Sequence, residues 1–137
     1  AEKQMKNYFA FASRRRGNTA VFLGEHLERR LDNIVYRLGF APTRAAARQL
    51  VTHGHITVNK KVLDIASYIV LQGEEIGYAS DASKKIPYIE VFREQNEITV
   101  PVWLELKKDQ GKLIAVPDNT FIEQQINLRL VIEFYSR

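Results

Sequence analysis

The chain has 137 residues, a formal net charge of +4, 45% hydrophobic residues and no Cys. This suits one domain of ordinary size, or one small domain with an appendage, and supplies enough apolar residues for a core. The lack of Cys excludes a disulfide framework, a thiolate-held zinc and a thiol nucleophile. No apolar run approaches the ~20 residues of a membrane-spanning helix, and no signal peptide opens the chain. Ala1, in place of Met, stands inside a helical pattern, which points to a truncated or processed protein. The charge is segregated: residues 1–61 carry a net +8 and residues 62–137 a net −4. A basic half and an acidic half suggest one face for a polyanion and another for a different contact.

Met5, Tyr8, Phe9 and Ala12 fall at helical spacing, and Arg14-Arg15-Arg16 closes that segment before Gly17-Asn18 stops it. Leu23, Leu27, Leu31, Ile34, Val35 and Leu38 then form one apolar stripe, predicting a helix from residue 18 or 19 to a cap at Gly39. Phe40-Ala41-Pro42 is a turn. Thr43 is an N-cap for a helix over residues 44–53 that stops at Gly54. The alternation His55, Ile56, Thr57, Val58 predicts a strand, with Asn59-Lys60 as a two-residue turn and a return strand over 61–65.

Further on, residues 69–71 and 75–78 read as strands around a Gly73 turn, and residues 83–95 as a helix. Residues 102–106 and 112–116 read as strands flanking a turn, and the alternation of Leu128, Leu130, Ile132 and Phe134 as a last strand. Trp103 lies on apolar alternation and is expected in the core. The plan is α+β: an N-terminal helical part, then helices packed on a mostly antiparallel sheet. The domains are expected at 1–26, with the C-terminal residues as a possible completion, and at 27–137, which includes a helix-turn-helix-hairpin module at about 27–76.

That module carries the chemistry. Arg44, Arg48 and Gln49 lie one turn apart on the second helix, with Thr43 at its start, so one helix face can grip phosphates. A solvated helix face is the competing reading. His53 and His55 flank Gly54 without further ligands at zinc spacing, so phosphate or 2′-hydroxyl contacts suit them better than a metal. Asn59, Lys60 and Lys61 sit on the hairpin. Arg14, Arg15 and Arg16 are candidates for RNA, or complete a helix terminus. Of Arg29 and Arg30, one pairs with Asp32 or Glu28 inside the protein and the other faces RNA. No Gly-x-Ser-x-Gly, phosphate-binding loop or dinucleotide fingerprint occurs, so neither an enzyme nor a cofactor is expected.

The run Leu27-Glu28-Arg29-Arg30-Leu31-Asp32-Asn33-Ile34-Val35-Tyr36-Arg37-Leu38-Gly39-Phe40-Ala41-Pro42-Thr43-Arg44 resembles the bacterial-type small-subunit ribosomal protein S-four family. So do Ala47-Arg48-Gln49-Leu50-Val51, His53-Gly54-His55-Ile56-Thr57-Val58-Asn59, Val100-Pro101-Val102-Trp103-Leu104 and the closing Glu133-Phe134-Tyr135-Ser136-Arg137. The resemblance implies direct binding to small-subunit rRNA in its 5′ domain, nucleation of assembly and support of translational accuracy. It implies ribosomal protein S-five as a neighbour, a position where mRNA enters the subunit, and a ribosome in the cytoplasm or an organelle. The usual Asn-Gly turn is Asn59-Lys60 here, Ala66 replaces a Pro, and the family's N-terminal segment is absent. A free RNA-binding regulator built on the same module is the alternative.

Overall fold

The computed structural model describes residues 19–117, with side chains from Leu23 onward. The triplet Arg14, Arg15 and Arg16 and the expected strand at 128–134 lie outside the described residues. Residues Arg30–Val116 form one compact unit, while Ala1–Arg29 and Pro117–Arg137 belong to a second. From the second unit the described part is helix α1, Thr19–Glu28, in which Leu23 is buried.

The first unit runs α2 (Leu31–Arg37), α3 (Arg44–Thr52), β1 (Ile56–Val58), β2 (Lys61–Val62), β3 (Glu75–Tyr78), α4 (Asp81–Lys84), α5 (Pro87–Gln95), β4 (Leu104–Lys107) and β5 (Gln110–Leu113). The five strands make one antiparallel sheet in the order β2-β1-β3-β5-β4. Helices α2 and α3 pack against each other. Leu31, Ile34, Val35 and Leu38 of the first helix region are buried with Ala47, Leu50 and Val51 of α3. Ile56, Ile76 and Leu113 close the core from the sheet, with Trp103 and Ile89 beside them. Gly111 of β5 lies directly under Leu38, where a Cβ would collide with the leucine methyls. The α+β plan and the core position of Trp103 are therefore seen. Among the described residues no helix is long and apolar enough to cross a membrane.

Several element boundaries differ from the sequence reading. The single helix expected up to Leu38 is two, broken at Arg30, whose backbone is extended (φ −58°, ψ 141°) and bridges Ile69. The first N–H groups of α2 find distant acceptors: Leu31 donates to the Tyr68 carbonyl (2.8 Å) and Asp32 to the Ala66 carbonyl (3.1 Å). Those bonds satisfy donors that a helix start would otherwise leave open. The return strand ends at Val62 rather than 65, with Leu63 N–H still donating to the Ile56 carbonyl at 3.1 Å, and Ile69 makes an isolated bridge to Arg30 instead of a strand.

The helix expected over 83–95 is likewise two. Ile86, ahead of Pro87, is extended (φ −55°, ψ 124°), and the proline opens α5 at its first turn. Strand β4 begins at Leu104 because Leu104 N–H turns back to the Pro101 carbonyl at 3.0 Å, leaving Val102 exposed at the bend. Its partner β5 starts at Gln110 and ends at Leu113.

A polar cluster ties α4, α5 and the β4–β5 turn together. Asp109 accepts from Arg93 (2.8 Å) and Lys84 (3.0 Å). The Arg93 guanidinium lies over the Tyr78 and Phe40 rings, which stack with centroids 4.5 Å apart. Burial works to raise the Asp109 carboxyl, but hydrogen bonds from Arg93 and Lys84 outweigh it and hold the group below its ordinary value. Hydrogen bonds to Asp109 and Asp81 push Lys84 up. Burial raises the Tyr78 phenol, whose hydroxyl donates to the Phe40 carbonyl at 2.8 Å.

Candidate nucleic-acid interface

Helix α3 begins as its sequence dictates. Thr43 is extended, and its Oγ1 accepts the Ala46 N–H at 3.0 Å. Gly39 (φ +75°) ends α2's capping turn and Gly54 (φ +79°) turns the chain out of α3. Ala47, Leu50 and Val51 face the core, so Thr43, Arg44, Ala45, Arg48, Gln49, Thr52 and His53 are left on the exposed side. Arg44 and Arg48 thus share one solvent-facing surface.

Neither arginine is loose. Arg44 Nε donates to Asn33 Oδ1 at 3.1 Å, and its guanidinium sits over the Tyr36 ring, 4.5 Å from the centroid. Stacking holds the planar fork while leaving its N–H edges able to meet an anion. Arg48 Nε donates to Asp32 Oδ2 at 3.4 Å while its side chain stays 64% exposed. Asp32, Asn33 and Tyr36 all come from α2, so one helix positions the cations of the next.

Asp32 is itself pinned. It accepts Arg30 Nε on Oδ1 and Arg30 Nη2 on Oδ2, both at 3.2 Å, and its Oδ1 takes the Asn33 N–H at 2.8 Å. Both side chains of the Arg30–Asp32 pair are close to fully buried. Arg30 therefore belongs to the support of the face, and its expected surface role is corrected. Arg29 is also paired internally, with Glu25 at 3.1 Å on α1. The expected inward pair with Asp32 is the one Arg30 makes; the other arginine, Arg29, expected to face outward, is also paired, because the helix breaks between α1 and α2 and each arginine meets a different acid.

The hairpin brings β1 and β2 together through Asn59 (φ 50°) and Lys60 (φ 68°), the left-handed pair of a two-residue turn. Asn59 is engaged in that turn: its N–H donates to the Glu75 carbonyl (2.8 Å), and its Oδ1 accepts the Glu75 N–H (3.0 Å). Lys60 and Lys61 are exposed. His53 caps α3 in the open, whereas His55 is half-buried with Nδ1 2.9 Å from Ser83 Oγ of α4. Thr43, Arg44, Arg48, Gln49, His53, Asn59, Lys60 and Lys61 are thus on the surface, Asn59 with its side chain engaged by Glu75, while Arg30 is buried and His55 half-buried.

Sequence reasoning named Asp32 as a partner for Arg29 or Arg30 but missed it as a support of Arg48, and missed Asn33 and Tyr36 as supports of Arg44. A signal existed: Asp32 and Tyr36 are one helical turn apart and off the apolar stripe. It also missed Tyr88. This ring is 45% exposed on α5 and, with Ala45, Ala46, Arg48, Gln49 and Thr52, lines an open groove of about 420 Å³. Its signal was an aromatic residue falling beside the buried Ile89 instead of on its stripe.

A helix pair with a basic outer face, leading into a hairpin at the edge of an antiparallel sheet, defines the S4 domain class. The S4 domain model matches residues 29–76. The chain is 48% identical over 141 residues to a protein of Aquifex aeolicus named small ribosomal subunit protein uS4, spanning 99% of this chain and 66% of that protein. Proteins of the same name from Sulfurihydrogenibium sp. (47% identical, 98% of this chain and 67% of the relative) and Akkermansia muciniphila (48%, 99% and 68%) are similar to it. The chain belongs to the small ribosomal subunit protein uS4 family. It spans about two thirds of the length of these relatives.

Proposed function

We propose that this chain is a structural constituent of the small ribosomal subunit that binds its rRNA directly and performs no catalysis. The supporting observation is the arginine pair of α3: two exposed guanidinium groups one turn apart, each held by α2. Preset cations can neutralise phosphates with little side-chain entropy left to lose. Gln49, Thr43, His53, Lys60 and Lys61 extend the face with donors suited to phosphate and 2′-hydroxyl oxygens. Contacts to phosphate and sugar position such a surface on an RNA shape rather than reading its base sequence.

The finer reading is binding in the 5′ domain of the rRNA, early in assembly, next to ribosomal protein S-five and where mRNA enters the subunit. Membership in the family supports it, and so does the segregation of charge along the sequence, net +8 over residues 1–61 and net −4 over 62–137. Arg14, Arg15 and Arg16 complete the proposed RNA contacts from outside the described residues.

The test is sucrose-gradient sedimentation of a tagged copy in its own cell, followed by a high-salt wash. Stoichiometric co-migration with the small subunit that survives the wash is expected. A protein that stays at the top of the gradient while crosslinking to RNA would instead be a free regulator.

A further inference from the structure

We propose that the groove between α3 and α5 seats an unpaired RNA base, stacked on Tyr88, beside the phosphate-binding face. The inference rests on the RNA-binding reading of α3 and names a second mode of contact within it. The groove is lined by Tyr88 of α5 and by Ala45, Ala46, Arg48, Gln49 and Thr52 of α3. The small alanine side chains among them leave room for a flat ring. At about 420 Å³ the space lies within the ~300–1,000 Å³ typical of small-molecule sites.

The lining says what kind of ring fits. Arg48 is the one charged residue among the six, and no acid lines the groove: Glu90 and Glu94 of α5 are not among them. An anionic ligand is favoured, and its charge would sit at the Arg48 end, where Asp32 holds the guanidinium. Gln49 presents a carboxamide with both donors and an acceptor, which can meet the edge of more than one base. The Thr52 hydroxyl spends its hydrogen on the Arg48 and Gln49 carbonyls (3.1 and 3.3 Å), leaving its lone pairs to accept. An aromatic ring, neutral polar groups and a cation lining one groove match the base, base edge and phosphate of one nucleotide. A paired base inside a duplex cannot reach such a groove, so the site selects a bulged or single-stranded nucleotide.

The experiment is a fluorescence-anisotropy titration of the full chain with a labelled short oligouridylate and, separately, with a base-paired RNA of the same length. Tyr88→Ala and Tyr88→Leu are expected to weaken oligouridylate binding about 5- to 100-fold, as expected for removing one stacked base. Tyr88→Phe should keep it. None of the three should change duplex affinity or the salt dependence, since no charge is altered. Equal weakening on both RNAs, or none on either, would overturn the base seat and leave the arginine face standing. Release of a protein from the assembled subunit with RNA affinities intact would overturn it in favour of a protein occupant. Failure of the unmodified chain to bind oligouridylate while it binds small-subunit rRNA would overturn the base seat alone, and failure to bind that rRNA as well would overturn the parent reading.

Discussion

Arg48 on the exposed face of α3 donates to Oδ2 of Asp32, a nearly buried carboxylate that also accepts from Arg30 on both of its oxygens. One acid thus links the inside of the protein to its proposed RNA surface. Asp32→Ala would leave Arg30 buried without its partner, and breaking a buried pair in this way costs about 3 kcal/mol. Arg48→Ala removes only the exposed end and should cost ~1 kcal/mol or less. Urea denaturation of both variants checks the difference; equal costs would contradict the two-sided role of Asp32.

Lys60 stands at φ 68° on the hairpin, a left-handed conformation that a side chain disfavours. Lys60→Gly should therefore raise stability by about 0.5–1 kcal/mol, read as a higher Tm, while RNA affinity falls because the cation is gone. Asn59→Ala should act oppositely on stability, because it removes the acceptor for the Glu75 N–H. A typical net cost for removing one such bond is about 1 kcal/mol.

Gly39 allows no side chain. Its φ is +75°, and a Cβ would lie 2.5 Å from the Ile98 side chain. Gly39→Ala combines backbone strain with overpacking and should cost about 2–4 kcal/mol, measured by thermal melting.

The Asp109 cluster sets a dependence on pH. Its carboxyl is lower in the folded state than the ordinary 3.8, because Arg93 and Lys84 outweigh the effect of burial. The stabilisation is present above the unfolded value and is lost as pH falls through the folded one. Lys84 acts at the other end: its raised value gives stability that is present below the ordinary 10.5 and is lost as pH rises through the folded value. Thermal melts across the acid range should show a shallower decline for Asp109→Asn than for the unmodified chain. Parallel curves would contradict the assignment.

The parts of the fold set by neighbouring residues were legible in the sequence. Thr43 as a cap, Gly54 as a stop and the alternation of Ile56 and Val58 each depend on a few adjacent positions. The break at Arg30 was not, because its cause is remote: the carbonyls of Ala66 and Tyr68 receive the N–H groups that start α2. The uninterrupted apolar stripe from Leu23 to Leu38 conceals this. The break at Pro87 was readable from the proline itself, and the spacing of Ile86 and Ile89 masked it. Among the site residues, the basic side chains could be found from composition. Which of them face solvent could not, because Arg30 and Arg48 look alike in sequence and differ only in how deeply each meets Asp32.

The most direct measurement is the salt dependence of rRNA binding by the chain in which Arg44 and Arg48 are both replaced by alanine. Removing one arginine from a phosphate should flatten the slope of log affinity against log salt by about 0.7–0.9, so the double replacement should flatten it by about 1.5 and weaken binding at low salt. An unchanged slope, in a variant that still folds, would contradict the placement of these arginines at phosphates.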